Sequence, residues 1–171
     1  GLVMAIIISP MVAPVVIIAV GMFFFFAKLS LLNSYLGLVL AHALLGVPFV
    51  VITVVAVLKS YDTNLTRAAA SLGASPLLAF RKVTLPLIAP GVFSGALFAF
   101  ATSFDEVVVT LFLASPTQRT LPIQMFAGIR ENLDPTIAAA ATIMIAASLL
   151  LLIVMEVLRR RGEKMRQPQP V

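Results

Sequence analysis

Cysteine is absent from the 171 residues, so neither a disulfide framework nor a thiolate metal site can be built from this chain. Histidine occurs once, as His42, with no Asp, Glu or Cys at ligand spacing; it is read as a packing or hydrogen-bonded residue, not a metal ligand or proton relay. Charge is scarce: 11% of residues are Asp, Glu, Lys or Arg, against about 25% in a soluble domain. No Gly-x4-Gly-Lys-Ser/Thr phosphate cradle occurs. With one histidine, no thiol and no carboxylate inside three of its four apolar runs, the sequence has poor material for an intramembrane enzyme, and it is read as no enzyme.

Apolar length is what it has. Hydrophobic residues make up 61% of the chain and the mean hydropathy is +1.10. A helix needs about 20 apolar residues to cross the hydrocarbon of a bilayer. Four runs approach or exceed this without a charge: Gly1 to Ala27, Leu29 to Ser60 apart from Lys59, Val83 to Phe104, and Pro135 to Met155. The expected fold is an all-α membrane protein with about four transmembrane helices in one domain, residues 1–171. The first run is too long, and too directly followed by a second, to be a removed signal peptide. Pro10, Pro14 and Pro48 are expected to bend their helices, which membrane spans tolerate. Gly37, Ala41, Ala43 and Gly46 would let the second helix approach a neighbour closely. Phe23 to Phe26 point all round a helix and so read as packing or lipid-facing surface, not a cation cage.

The few charges are sorted. Lys59, Arg67, Arg81 and Lys82 lie between the second and third runs; Arg159, Arg160, Arg161, Lys164 and Arg166 follow the fourth. The other side carries Lys28, Arg119 and Arg130 among acids. Basic residues concentrate on the cytoplasmic side of membrane proteins, so the loop 59–86 and the tail 156–171 are expected inside. That bias already accounts for the net charge of +5. The tail lacks interleaved aromatics or a groove-entering motif, so nucleic acid is not an expected partner. Outside, Val107 to Ala114 is too short to span: either it belongs to an interfacial or re-entrant piece, or the third helix continues through Asp105 and Glu106 to Ala114.

The inner loop is heavily punctuated. Asp62 is placed to cap a helix from Thr63 to Leu72, on which Leu65, Ala68, Ala69 and Leu72 share one small apolar face. Gly73 suits the left-handed position just past its end. Ser75 then caps a second helix, with Pro76 at its first position, that runs to a break at Thr84-Leu85-Pro86. Two short helices with an apolar face can dock in another protein's groove or lie on lipid headgroups, and physics alone leaves both open.

The spacing Ala68-Ala69, Gly73, then Val83-x-Leu85-Pro86 resembles the cytoplasmic E-A-A-x3-G-x9-I-x-L-P signature of the membrane subunits of bacterial ABC importers. "SFDEVVVTLFL" from Ser103, "RTLPIQMF" from Arg119 and "DPTIAAAATI" from Asp134 are similar to spermidine/putrescine-type permeases. The resemblance covers essentially the whole chain. It implies the last four helices of a six-helix type I importer permease, so a preceding part is expected to be missing; the start at Gly1 instead of Met agrees.

The resemblance implies a multi-pass inner-membrane permease working by alternating access, its loop coupled to a cytoplasmic ABC ATPase dimer that hydrolyses ATP. It also implies a second permease subunit, identical or homologous, an extracytoplasmic solute-binding protein, and no cofactor on this chain. The coupling residues carried over are Arg67, Ala68, Ala69, Gly73, Val83, Leu85 and Pro86; Arg67 stands where the signature has an acid. A polyamine is the implied solute. Asp105 and Glu106 are either solvated caps at the outer interface or groups that draw a polycation to the pathway. The competing class is an ion-gradient-driven secondary transporter, which would carry midplane ion sites and repeated halves; neither is evident here.

Overall fold

A computed structural model describes residues 1–131 and 135–164. It is all-helical: α1 Leu2–Val12, α2 Val15–Lys28, α3 Tyr35–Lys59, α4 Thr63–Ser71, α5 Pro76–Ala79, a π-helical segment Phe80–Thr84, α6 Leu85–Phe104, α7 Val108–Leu113, α8 Leu121–Glu131 and α9 Pro135–Lys164. Asp134 and the Pro/Gln-rich end, residues 165–171, lie outside the described residues.

Three helical stretches are long and apolar enough to cross a membrane: Tyr35–Lys59, Pro76–Phe104 and Pro135–Val154. The first apolar run is sharply bent at its prolines. It breaks into α1 and α2, which meet at 107°, and gives a fourth crossing only if the pair is counted together. Proline disfavours the α conformation of the residue before it, and Ala13 is extended (φ −73°, ψ 143°) in front of Pro14. Pro10 and Pro48, by contrast, stay inside continuous helices.

A second difference concerns Thr84-Leu85-Pro86. The sequence pattern predicts the end of a short helix there, but the helix begun at Pro76 runs on to Phe104. Proline lacks an N–H and its ring clashes with the carbonyl four residues back. The π segment absorbs this: the Leu85 N–H bonds to the Phe80 carbonyl, five residues back, immediately before Pro86. At the end remote from the 59–86 loop α6 stops at Phe104, so the alternative of a helix continuing through Asp105 and Glu106 does not hold; α7 starts anew after the three linking residues 105–107. The fourth helix extends beyond its apolar part, through the basic cluster, to Lys164.

Helices in lipid gain little from hydrophobic association and depend on close packing. The pair α3 and α6 achieves it with small residues. Gly91, Gly95 and Ala99 recur every fourth residue on α6, and a Cβ at Gly95 would sit 2.6 Å from the Val50 Cα. One at Gly91 would lie 3.0 Å from the Thr53 carbonyl oxygen, and one at Gly46 2.8 Å from the Ala99 Cβ. The sequence reading saw Gly46 but not the α6 stripe it meets. A smaller core of Ala19, Phe26, Ala41, Leu45, Val109 and Leu113 joins α2, α3 and α7. Of the phenylalanine run only Phe26 is buried, while Phe24 and Phe25 point outward. The α2–α3 loop is tied to this core by the Asn33 N–H, which donates to the Leu113 carbonyl at 2.9 Å. Beyond α7, α8 packs on α9: a Cβ at Gly128 would sit 2.8 Å from the Ile137 Cδ1.

Because the neighbour at Gly95 is backbone, no rotamer change relieves a larger residue. Gly95→Val is expected to destabilise the helix pair by about 1–3 kcal/mol or more, the range of core overpacking. Thermal unfolding in detergent should show a lowered Tm, whereas Gly21→Ala, with nothing within 4 Å of its Cβ position, should leave Tm unchanged or slightly raised.

Candidate functional site

The loop 59–86 is built from paired stops. The Asp62 carboxylate accepts the Asn64 N–H at 2.9 Å and starts α4. At the other end the Ala74 N–H reaches the Ala69 carbonyl and the Gly73 N–H the Ala70 carbonyl, at 3.0 and 2.9 Å. These two bonds form a Schellman motif, which requires a left-handed residue after the helix; Gly73 supplies it at φ 84°. The Ser75 hydroxyl then accepts the Leu78 N–H, with Pro76 in the first turn of α5.

Tyr61 braces the assembly. Its hydroxyl is hydrogen-bonded to the Thr66 hydroxyl on α4 and, at 3.2 Å, to the Thr84 hydroxyl on the π segment. The end of α3, α4 and the start of α6 therefore meet at one phenol.

The residues singled out in sequence fall into two groups. Arg67, Ala68 and Ala69 lie on α4; Arg67 and Ala68 are exposed and Ala69 is half-buried. Val83 lies in the π segment, and Leu85 and Pro86 open α6. Gly73 joins the groups. Little of the apolar face is covered by the chain itself: Leu72 is 89% exposed, and Leu65, Leu77, Leu78 and Phe80 are exposed too.

The opposite end of the α3–α6 pair holds a polar chain. The Glu106 carboxylate accepts the Val109 N–H at 2.7 Å through Oε1, and the Thr110 N–H and hydroxyl, each at 3.0 Å, through Oε2. Thr110 Oγ1 lies 3.0 Å from His42 Nε2, and His42 Nδ1 lies 2.7 Å from Ser103 Oγ. Four side chains on α3, α6, α7 and the turn before α7 are thus strung together. Glu106 is only 7% exposed. Its oxygens are engaged at the start of α7. Asp105 is exposed and, with Glu106, lines a cavity of about 400 Å³ beside the α1–α2 break.

A larger cavity of about 700 Å³ follows the α3–α6 face, with His42, Ser103 and Thr120 among otherwise apolar or small residues. Ser103 and Thr110 were not identified from sequence. They lie 61 and 68 residues from His42, and no local pattern signals such pairing. Among the described residues no group of three or more His, Cys, Asp or Glu side chains could hold a metal ion.

Comparison with known proteins agrees with this architecture. The family described as "Binding-protein-dependent transport system inner membrane component" matches residues 1–164. The spermidine/putrescine transport system permease protein PotC of Escherichia coli (strain K12) is 33% identical over 129 residues, covering 75% of this chain and 49% of that protein. The putrescine transport system permease protein PotI of the same strain is 33% identical over 137 residues, covering 77% and 49%. The sulfoquinovosyl glycerol transport system permease protein SmoH of Agrobacterium fabrum (strain C58 / ATCC 33970) is 35% identical over 143 residues, covering 82% and 50%. The chain thus spans about half the length of the curated relatives it matches. With its apolar helices and a family match over nearly its whole length, the chain belongs to the inner-membrane permease components of binding-protein-dependent ABC importers.

Proposed function

We propose that this chain forms part of the solute pathway of an ATP-driven importer and receives the ATPase stroke through the loop 59–86. The observation that carries the reading is the loop's construction. It has two capped helices, a brace at Tyr61, an uncovered apolar face, and direct helical continuity from Pro76 into the membrane helix α6. A stroke delivered to a floppy loop would be lost in local motion, whereas one delivered to a braced element moves the attached helix. The loop and the basic end of α9 face the cytoplasm in this reading, as the bias of basic residues directs. A cytoplasmic ATPase dimer covers the α4 face and handles the nucleotide.

A second permease subunit completes the pathway, and a binding protein delivers the solute from the other side. The two apolar-lined cavities then belong to a path that alternates in access. A polyamine is the proposed solute, after the transport systems to which PotC and PotI belong, with exposed Asp105 available to attract it. SmoH, similarly related, belongs to a sulfoquinovosyl glycerol transport system, so the polyamine assignment follows PotC and PotI.

Gly73→Val tests the coupling role. The new Cβ meets nothing of this chain within 4 Å, so the cost arises from a branched residue held at positive φ, roughly 1–2 kcal/mol, and from bulk presented to the partner. In a detergent pull-down of the permease, an ABC-type ATPase is expected with the wild type and should be lost or strongly reduced with the variant. An ATPase that co-purifies equally with both samples, with transport-coupled ATP hydrolysis unchanged, would overturn the coupling role of this loop.

Tyr61→Phe removes only the hydroxyl of the brace. With about 0.5–1.5 kcal/mol per hydrogen bond at stake, ATPase binding should persist while solute moved per ATP hydrolysed falls two- to tenfold in reconstituted vesicles. Unchanged coupling would show that the brace is dispensable.

A further inference from the structure

The chain from Glu106 to Ser103 has a direction, and the direction fixes what the larger cavity can recognise. Both Glu106 oxygens already accept backbone N–H groups, and Oε2 also accepts the one hydrogen of the Thr110 hydroxyl. A carboxylate only accepts, and a hydroxyl has a single hydrogen to give. Thr110 Oγ1 must therefore accept from His42, which places a hydrogen on Nε2. In the neutral imidazole the other nitrogen is then an acceptor, so the Ser103 hydroxyl donates to Nδ1 across 2.7 Å. Ser103 has no hydrogen left and presents lone pairs to the cavity it lines.

A second observation lies in the same cavity. Thr120 Oγ1 is buried and has no hydrogen-bond partner among the described residues, yet Thr120 contributes to the wall that holds Ser103. A buried hydroxyl without a partner costs about 1–3 kcal/mol; the oxygen is closed off as the wall stands, so a ligand supplies the missing bond once the Thr120 side chain turns about χ1 toward the cavity.

We infer that Ser103 and Thr120 form a solute subsite that reads hydrogen-bond donors, the N–H of an ammonium group or the O–H of a polyol. His42, Thr110 and Glu106 are its positioning residues: they set the polarity of Ser103. This rests on the permease reading above and deepens it, since it states which solute atoms the wall accepts. Donors fit the acceptor at Ser103, while a carboxylate or phosphate presented there would meet lone pair with lone pair.

The test uses the cysteine-free sequence as a silent background. Ala96 lines the same cavity and is exposed, so Ala96→Cys in the assembled transporter reports on it through reaction with a cationic methanethiosulfonate, read on this chain by mass. Putrescine and sorbitol, an amine and a polyol, are the probes. Labelling is expected in the free transporter and should be slowed by at least one of them; which one protects distinguishes ammonium from hydroxyl donors. Ser103→Ala should raise the half-protecting concentration about tenfold, the value of one hydrogen bond to a charged or well-buried group. Thr110→Val should do the same without touching the cavity, because it frees His42 to turn its hydrogen toward Ser103, and Thr110→Ser should restore wild-type protection.

No labelling, no protection by either probe, or protection indifferent to Ser103 and Thr110 would overturn the subsite. Retention of the ATPase in the same preparations reads the coupling proposal separately. A complex that keeps its ATPase but fails the protection test loses only the subsite. A preparation without ATPase counts against the transporter reading whatever the labelling shows.

Discussion

The fold depends on the contact between α3 and α6, in which glycine lets two backbones touch. In lipid there is no aqueous phase to drive apolar faces together, so the contact must come from surface fit and close dispersion. Gly95 against Val50, Gly91 against Thr53 and Gly46 against Ala99 run antiparallel along the pair. The same register brings His42 to Ser103 at one end and Tyr61 to Thr84 at the other. From His42 to the end of α3 at Lys59, just before Tyr61, the helix rises about 26 Å at 1.5 Å per residue, close to the thickness of a bilayer's hydrocarbon. A glycine-lined seam thus ends at polar contacts spaced to meet the two interfaces.

The apolar surface beyond this seam has a different use. Ile143, Ile145, Leu149, Leu150 and Ile153 on α9 are exposed, as expected of a helix whose neighbour is lipid or another subunit. In a soluble protein such a surface would be an aggregation hazard; in a membrane component it is the ordinary outer face.

What the sequence revealed, it revealed locally. Asp62, Gly73, Ser75 and Pro76 each act within a few residues, through a cap, a left-handed turn or a fixed φ, so their roles follow from identity and spacing alone. Length and apolarity likewise sufficed for the membrane helices. The break at Pro14 and the continuity through Pro86 were harder, since the same residue type ends one helix and is absorbed by a π segment in another. The difference lies in whether the preceding turn can re-register its hydrogen bonds. The polar chain was out of reach, because His42, Ser103 and Thr110 become neighbours only once α3, α6 and α7 are packed. The burial of Glu106 was equally out of reach, because sequence shows charge but not burial. The stripe Gly91, Gly95, Ala99 did have a visible spacing and could have been found by testing the third run for small residues every fourth position.

The π segment carries a mechanical consequence. A five-residue hydrogen-bonded ring holds one residue more than the α-helical ladder on either side. In an α-helix each residue advances the chain by 1.5 Å and turns it by about 100°. The surplus residue therefore sets the angular phase between Leu77 and Leu78 on one side and the Gly91–Gly95 stripe on the other. Passing that surplus along the rod would turn the short helix about its own axis, like a screw, while leaving the glycine seam undisturbed.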